Sequence, residues 1–355
     1  MQAKILKLIE KYGTENFLFI DKTETFYLSG TSFDGFWILV LNGGINIICS
    51  KMTENQVKEF FKDGYKIITC ASFVNAAVKA SKNENIKEII IDPKYSTALD
   101  FLLIESKLKT EGITLKAKAG VLNGLRIIKS VSEIENLKTA CRIVSEVCDE
   151  IRLETEKAVL IGKSELTERD IHYKILEKFA KRQVSPSFTP IVASGENSAN
   201  PHHISSSRKI VENDVIMIDL GCFYNGYASD LTRTFYLGKI NKEFRKVWDI
   251  VKQAQNTVMK RIKSGLAVSD GDKAARDLID SYGYKDNFIH TTGHGVGIEI
   301  HEMPSLAINA EGVFLTGMAV TVEPGIYIEG RFGVRIEDTV LIKEKVCEVL
   351  TSAKY

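Results

Sequence analysis

The six cysteines, Cys49, Cys70, Cys141, Cys148, Cys222 and Cys347, are scattered, and no two of them form a CxxC pair. This argues against a disulfide framework and against a thiolate zinc site, and it fits a reducing compartment. An excess of one charge is also missing. The 47 Lys and Arg residues stand against 46 Asp and Glu, so bulk charge directs the chain to neither nucleic acid nor a membrane surface. No apolar run approaches the length of a bilayer span. The stretch MQAKILKLIEKYG interrupts its apolar residues with charges at helical spacing, so it reads as an amphipathic helix and not as a secretory signal. A cytoplasmic location is the expectation. Internal repeats and low-complexity tracts are absent.

What is present is a chain of 355 residues, 44% of them hydrophobic, enough for two domains with a sizeable core. Phe17–Ile20, Phe36–Leu41 and Ile45–Cys49 read as strands, the last two joined by the turn signal Asn42-Gly43-Gly44. Helical patterns at Glu54–Lys62 and Thr97–Lys109 flank a short strand at Glu88–Ile91. Strands alternating with helices indicate an α/β unit. A boundary falls near Asn123–Lys129, giving domains 1–125 and 126–355. Ser132 with Glu135, and Thr167 with Asp170, form capping-box signatures that open two helices. After residue 185 the texture changes to short strands with Gly-rich turns.

Two ribbons in that second half set carboxylates inside apolar strands. In the first, Val215-Ile216-Met217-Ile218-Asp219-Leu220 runs through the hairpin signal Asn225-Gly226 to Asp230-Leu231-Thr232-Arg233. A type I′ turn at Asn225-Gly226 puts Asp219 opposite Thr232 and Gly221 opposite Asp230. Asp219 and Asp230 are then diagonal neighbours on one face, with Cα atoms roughly 7–8 Å apart. An Asp at a strand end is ordinary, so Asp230 alone also reads as structural. Asp219 is harder to dismiss, because a buried unpaired charge costs several kcal/mol. In the second ribbon, a loop at 329–331 puts Glu323 opposite Glu337, with Arg335 on the face of Glu337. Taken alone, Glu323, Arg335 and Glu337 also read as a cross-strand ion pair.

Of the six histidines, His172 falls in a helical pattern, whereas His290, His294 and His301 share one Gly-rich stretch. Glycines beside His294 allow its backbone to approach a ligand closely. Asp219, Asp230, Glu323 and Glu337 together gather four negative charges, which repel one another unless cations are present. Two divalent ions nearly balance that charge. One histidine among four carboxylates favours manganese, cobalt, iron or zinc over copper. A metal pair about 3.5–4 Å apart generates hydroxide near neutral pH and clamps a carbonyl.

The order Asp219, Asp230, His294 in GHGVG, Glu323 in VEPG and Glu337 in RIED resembles the five-ligand set of the pita-bread metallopeptidases. That family includes methionine aminopeptidase, aminopeptidase P and prolidase. The resemblance implies that Asp219 serves one metal, that His294 and Glu323 serve the other, and that Asp230 and Glu337 bridge. Manganese is the first expectation. Ser187-Phe188, Ile191-Val192-Ala193-Ser194-Gly195, Asn197 and Pro201-His202 are similar to the approach to the site in the proline peptidases. His202, His290, His301 and Arg335 match their additional active-site residues. Tyr27-Leu28-Ser29-Gly30 and the junction Leu125-Arg126 to Ile128-Lys129-Ser130 resemble the creatinase-type N-terminal domain, so the likeness covers nearly the whole chain.

The implied fold class is therefore α/β (α+β): a C-terminal pita-bread fold, with a curved antiparallel sheet covered by helices, behind a smaller N-terminal α/β domain. The implied activity is hydrolysis of the Xaa-Pro bond of a peptide with proline at its second position, by a homodimer. Glu323 is the implied proton shuttle. His290 and His301 are implied donors to the peptide carbonyl and its developing charge, His202 lines the proline side, and Arg335 orients ligands. An Xaa-Pro amide has no N–H and a fixed φ, which is why a dedicated enzyme exists.

Chain length of the substrate rests on one position. A dipeptidase must hold the free carboxylate of proline, usually through a bidentate arginine. Some prolidases resembling this chain carry arginine just after the His-Glu-x-Pro segment, where this sequence has Ser305. The expectation is an Xaa-Pro aminopeptidase. The alternative is a prolidase using another cation, such as Arg331 or one from a partner subunit. Methionine aminopeptidase and a non-catalytic binding homologue are the more distant alternatives.

Overall fold

Asn42 and Gly43 sit at φ 47° and 75°, the two positive values that a type I′ turn demands. They close the expected hairpin, with Leu41 paired to Gly44 and Phe36 to Cys49. In this computed structural model, which describes residues 1–160 and 165–355, the chain divides into two compact units between Arg126 and Ile127.

The first unit is built on a six-stranded mixed sheet in the order Lys66–Thr69, Gly44–Cys49, Phe36–Leu41, Phe17–Phe19, Glu88–Ile91, Thr114–Ala117. The central pairs are antiparallel and the outer ones parallel. Helices occur at Gln2–Tyr12, Glu54–Phe60 and Ala98–Lys109 as their patterns predict. Two more helices, Lys22–Ser29 and Phe73–Asn83, had no strong pattern. The first of them holds Thr, Phe and Tyr, which favour strands when read locally. Its Asp21 cap, which accepts from the Thr23 amide, decides otherwise.

The second unit carries four antiparallel sheets, and two of them are each covered by a pair of helices. One sheet has the order Leu231–Tyr236, Val215–Leu220, Ile191–Ser194. Its residues Val192, Ile216, Ile218 and Leu231 pack against Val144, Val147 and Ile151 of the helix Val131–Leu160 and against Ile171, Ile175 and Phe179 of the helix Glu168–Lys181. The other sheet has the order Glu302–Leu306, Gly293–Gly295, Ala319–Val322, Asp338–Leu341, Glu348–Val349. Val320, Val322 and Val340 meet Val247, Val251 and Val258 of the helix Lys242–Arg261, with Ala275 and Ile279 of the helix Ser269–Ser281. Burying these stripes against both sheets is what holds the unit together.

The capping boxes came out differently from each other. Thr167 and Asp170 cap each other as expected. The long helix is instead capped one turn-position earlier: Glu133 Oε2 accepts from the Ser130 amide at 2.8 Å, and the Glu133 amide reaches Ser130 Oγ at 3.4 Å. Ser130 and Glu133 have the same spacing as Ser132 and Glu135, and position along the folded chain, not spacing, chose between them.

Candidate metal centre

Asp219 lies opposite Thr232. On its strand Ile216, Ile218 and Leu220 face the helices, while Met217 packs with Ala193 and Tyr327. Alternation therefore sends Asp219 to the side away from the helices. The strand is covered on both faces, which explains a continuous apolar run broken by one carboxylate. Asn225 and Gly226 take φ 47° and 78° between paired Tyr224 and Tyr227. The same register continues through the hairpin and sets Asp230 across from Gly221. In the second ribbon Gly325 pairs with Arg335 and Ile328 with Phe332 around the loop at 329–331. Val322 pairs with Asp338 beyond it, so Glu323 faces Glu337 as the turn spacing predicts.

His294 is on the short strand Gly293–Gly295, between Glu302–Leu306 and Ala319–Val322. Its flanking glycines have a reason other than approach to a ligand. A Cβ on Gly293 would stand 2.1 Å from the Thr321 carbonyl oxygen, and one on Gly295 2.2 Å from that of Met303. The close approach is to neighbouring backbone, and it seats the strand deeply enough to deliver the imidazole.

The structure brings these side chains together. Asp230, His294 and Glu337 have ligand atoms within 4.8 Å of one another. His294 Nε2 is 3.5 Å from Asp230 Oδ2 and 3.4 Å from Glu323 Oε1. The Arg335 guanidinium donates to Asp219 Oδ2 at 2.5 Å, and Thr232 Oγ1 donates to Glu337 Oε2 at 2.7 Å. The second oxygens, Asp219 Oδ1 and Glu337 Oε1, are buried with no hydrogen-bond partner among the described residues. Burial, then Asp219 and Glu323, push the Asp230 carboxyl well above its ordinary range, and Arg335 only partly opposes them. Burial, then Asp230, raise Glu337 in the same way, and burial raises Glu323. Burial lowers His294. Its Nδ1 lies 3.0 Å from the Gly295 carbonyl, which can only accept. Nδ1 therefore carries the proton, and Nε2 turns a lone pair toward the carboxylates, the tautomer a metal ligand requires.

This donor set fits a pair of divalent cations. Orphaned buried oxygens and mutually repelling carboxylates are costly in a protein interior and are relieved by cations between them. Asp219, Asp230, His294, Glu323 and Glu337 are the residues that could hold them.

The remaining expected residues sit around this cluster. His301 is exposed, and its ring meets that of His294 edge-on at 4.3 Å. His202 is also exposed and follows Pro201, whose carbonyl accepts from Arg335 Nη1 at 3.3 Å. His290 is held at both nitrogens: Nδ1 donates to the Thr291 carbonyl at 2.8 Å, so Nε2 accepts from the Tyr327 hydroxyl at 2.9 Å. A hydrogen bond from this imidazole to substrate thus requires exchange of an existing partner. Arg331, the alternative cation, is already engaged bidentately by Glu243. His172 lies on the helix Glu168–Lys181 and donates to the Pro190 carbonyl, apart from the cluster.

Three supports were missed in the sequence. The Tyr327 hydroxyl receives Arg335 Nη1 at 2.8 Å and serves His290, and burial pushes its pKa up to about 12. Arg233 donates to the Glu337 carbonyl and to Asp338 Oδ1, bracing the backbone behind Glu337. Asp272, fully buried, accepts from the amide and hydroxyl of Thr292, next to the His294 strand. A tyrosine one turn of pleat past Pro324-Gly325 was the only local signal for any of them.

The fold of the second unit is the pita-bread fold. The model of metallopeptidase family M24 matches residues 135–344, and the chain belongs to that family of peptidases. Over its full length it is similar to the Xaa-Pro dipeptidase of Pyrococcus furiosus, 34% identical across 99% of this chain and 97% of that protein. Among solved structures it is similar to the Xaa-Pro dipeptidase from Bacillus anthracis, with TM-score 0.90 and 31% identity over 99% of this chain and 98% of that one. It is also similar to the X-Pro aminopeptidase from Thermotoga maritima, with TM-score 0.87 and 29% identity over 98% of both chains.

Proposed function

We propose that the chain hydrolyses the Xaa-Pro bond of dipeptides, holding two divalent metals between Asp219, Asp230, His294, Glu323 and Glu337. The observation that carries this reading is the pair of buried oxygens without a hydrogen-bond partner among the described residues, Asp219 Oδ1 and Glu337 Oε1, together with His294 Nε2 and the carboxylates it faces. When bound, the metals supply Lewis acidity and a water that is acidic near neutral pH. Manganese is the metal proposed. Glu323 takes a proton from the attacking water and passes it to the proline nitrogen. Thr321 Oγ1, 3.3 Å from Glu323 Oε1, orients that carboxyl. His301 donates to the scissile carbonyl as charge develops on it, and His202 borders the proline ring. Arg335 fixes Asp219 and, through Tyr327, ties it to His290.

The two Xaa-Pro dipeptidases among the named relatives favour a dipeptide over a longer peptide as substrate. Ser305 favours the second reading, an Xaa-Pro aminopeptidase, because it supplies no charge for a free proline carboxylate, and Arg331 is committed to Glu243. A homodimer in the cytoplasm, with residues 1–125 as a creatinase-type N-terminal domain and a cation from the partner subunit at the proline carboxylate, completes the proposal. Among the described residues no helix is long and apolar enough to cross a membrane. The test is kcat/KM for Ala-Pro against Ala-Pro-Ala in metal-reloaded protein. A preference for the dipeptide above about tenfold, some 1.4 kcal/mol in transition-state binding, is expected. The reverse preference establishes the aminopeptidase, and hydrolysis of neither overturns the Xaa-Pro reading.

A further inference from the structure

One carboxylate outside the centre gathers more donors than any ligand does. Glu168 is fully buried at the start of the helix Glu168–Lys181. Its Oε1 accepts from the Ser194 amide at 2.7 Å, the Ser194 hydroxyl at 2.8 Å and Asn197 Nδ2 at 3.0 Å. Its Oε2 accepts from His203 Nε2 at 2.7 Å and from the amide and hydroxyl of Ser206 at 2.9 and 2.7 Å. These donors come from both ends of the segment 194–206. Backbone bonds join the same places, from the Glu168 amide to the Arg208 carbonyl and from the Arg169 amide to that of Ser206.

The segment so closed carries His202 at its middle and touches the metal-centre strand at two points. Ser198 Oγ accepts from the Gly333 amide at 2.9 Å, and the Pro201 carbonyl accepts from Arg335 Nη1 at 3.3 Å. Gly333 and Ser198 are packed so closely that a Cβ on Gly333 would stand 2.1 Å from the Ser198 carbonyl oxygen. A loop with exposed residues on its crest and one buried anion at its base has its shape set by that anion. Each of the donors to an ionised acceptor contributes more than a neutral pair does, and a loop held at both ends loses little freedom when substrate binds.

We infer that Glu168, with His203, is a positioning residue: it closes the segment 194–206 and thereby holds His202, next to the Arg335-bound Pro201, at the substrate side of the centre. The inference rests on the proposed peptidase reading for the role of His202, but the closure itself does not. Both Glu168 oxygens are taken by donors of the segment 194–206. Loosening it therefore weakens substrate binding while leaving the metal residues and the proton transfer at Glu323 in place.

The experiment compares wild type with His203→Ala, His203→Gln and Glu168→Gln, each metal-reloaded, using Ala-Pro as substrate. Expected for His203→Ala is a rise in KM of about tenfold with kcat changed less than about twofold. Metal content should be unchanged, and amide hydrogen exchange should speed up selectively across 194–206. His203→Gln, which keeps a donor, should recover most of the KM. Glu168→Gln should show the same pattern more strongly, and if it fails to fold the His203 variants still decide. A drop in kcat or in metal content at constant KM overturns the inference, as does a lowered melting temperature with neither KM nor exchange at 194–206 altered. Wild-type protein inactive on every Xaa-Pro peptide would defeat the peptidase reading alone, since exchange across 194–206 still reports the closure.

Discussion

Arg335 and Asp219, 116 residues apart in the chain, form a buried ion pair with Nη2 to Oδ2 at 2.5 Å. The same guanidinium reaches Thr232 Oγ1 at 3.1 Å and the Tyr327 hydroxyl at 2.8 Å. One oxygen of Asp219 is thus fixed by protein, and the other is left buried without a partner among the described residues. Asymmetric occupation of this kind is how a neighbouring cation orients a ligand carboxylate without competing for it.

Arg335→Met should therefore lower kcat/KM by about 10–100-fold. In metal-free protein it should also lower stability by about 3–5 kcal/mol, because it leaves Asp219 buried and unpaired. Steady-state kinetics and denaturant melts of the stripped protein check both. Wild-type activity in the variant would remove Arg335 from the site.

Stripping with chelator should abolish hydrolysis and lower the melting temperature, and readdition of manganese should restore both. The stabilisation follows from binding to the native state alone, about 2.7 kcal/mol when free metal is 100 times Kd. Full activity in protein shown by elemental analysis to hold no metal would end the metallohydrolase reading of the centre.

Asp230→Ala and Glu337→Ala should each remove turnover and reduce bound metal, whereas His172→Ala should stay within about twofold of wild type. His172 donates to the Pro190 carbonyl from the helix Glu168–Lys181 and meets the Tyr173 ring edge-on. Metal content and single-turnover rates distinguish these variants. Equal losses at all three positions would show that the cluster is misassigned.

Tyr327→Phe deletes a hydroxyl that serves Arg335 and His290 together. It should reduce kcat by about tenfold and cost about 1–3 kcal/mol of stability, the penalty for buried donors and acceptors left unpaired. Kinetics and thermal melts on the same preparation test this, and an unchanged kcat would make the tyrosine a packing residue only.

Acid stability should depend on Glu168. Burial acts to raise its pKa, but hydrogen bonds from Asn197, Ser206 and His203 outweigh it and hold the group at about 2, against an ordinary 4.5. A depressed folded-state pKa gives stability that is present above the ordinary value and lost as pH falls from about 4.5 toward 2. Wild type should exceed Glu168→Gln in stability at pH 6, and the gap should shrink steadily as pH falls from about 4.5 toward 2. A gap that stays constant over that range would mean that the ionised form is not what stabilises the fold.

Much of the centre could be read from the sequence because it is built from hairpins. Asn225-Gly226 and the loop at 329–331 set the registers, and side-chain alternation then sets Asp219, Asp230, Glu323 and Glu337 on their faces. Local geometry is enough for that, since a period of two and a turn type leave one answer. The same reasoning went astray at the long helix, where Ser130–Glu133 and Ser132–Glu135 offer identical spacing and only the folded start of the helix selects the first.

What the sequence by itself determined is therefore the α/β class, the two ribbons and the residues on them that can share a cation. The tertiary structure decided how those ribbons are joined and what stands behind them. The glycines beside His294 yield to the Thr321 and Met303 backbone, Tyr327 links Arg335 to His290, and Glu168 gathers donors from 26 to 38 residues away. None of these relationships has a periodicity or a turn signature. They arise only when burial removes water from polar groups that are distant in the chain and leaves each the nearest partner the fold provides.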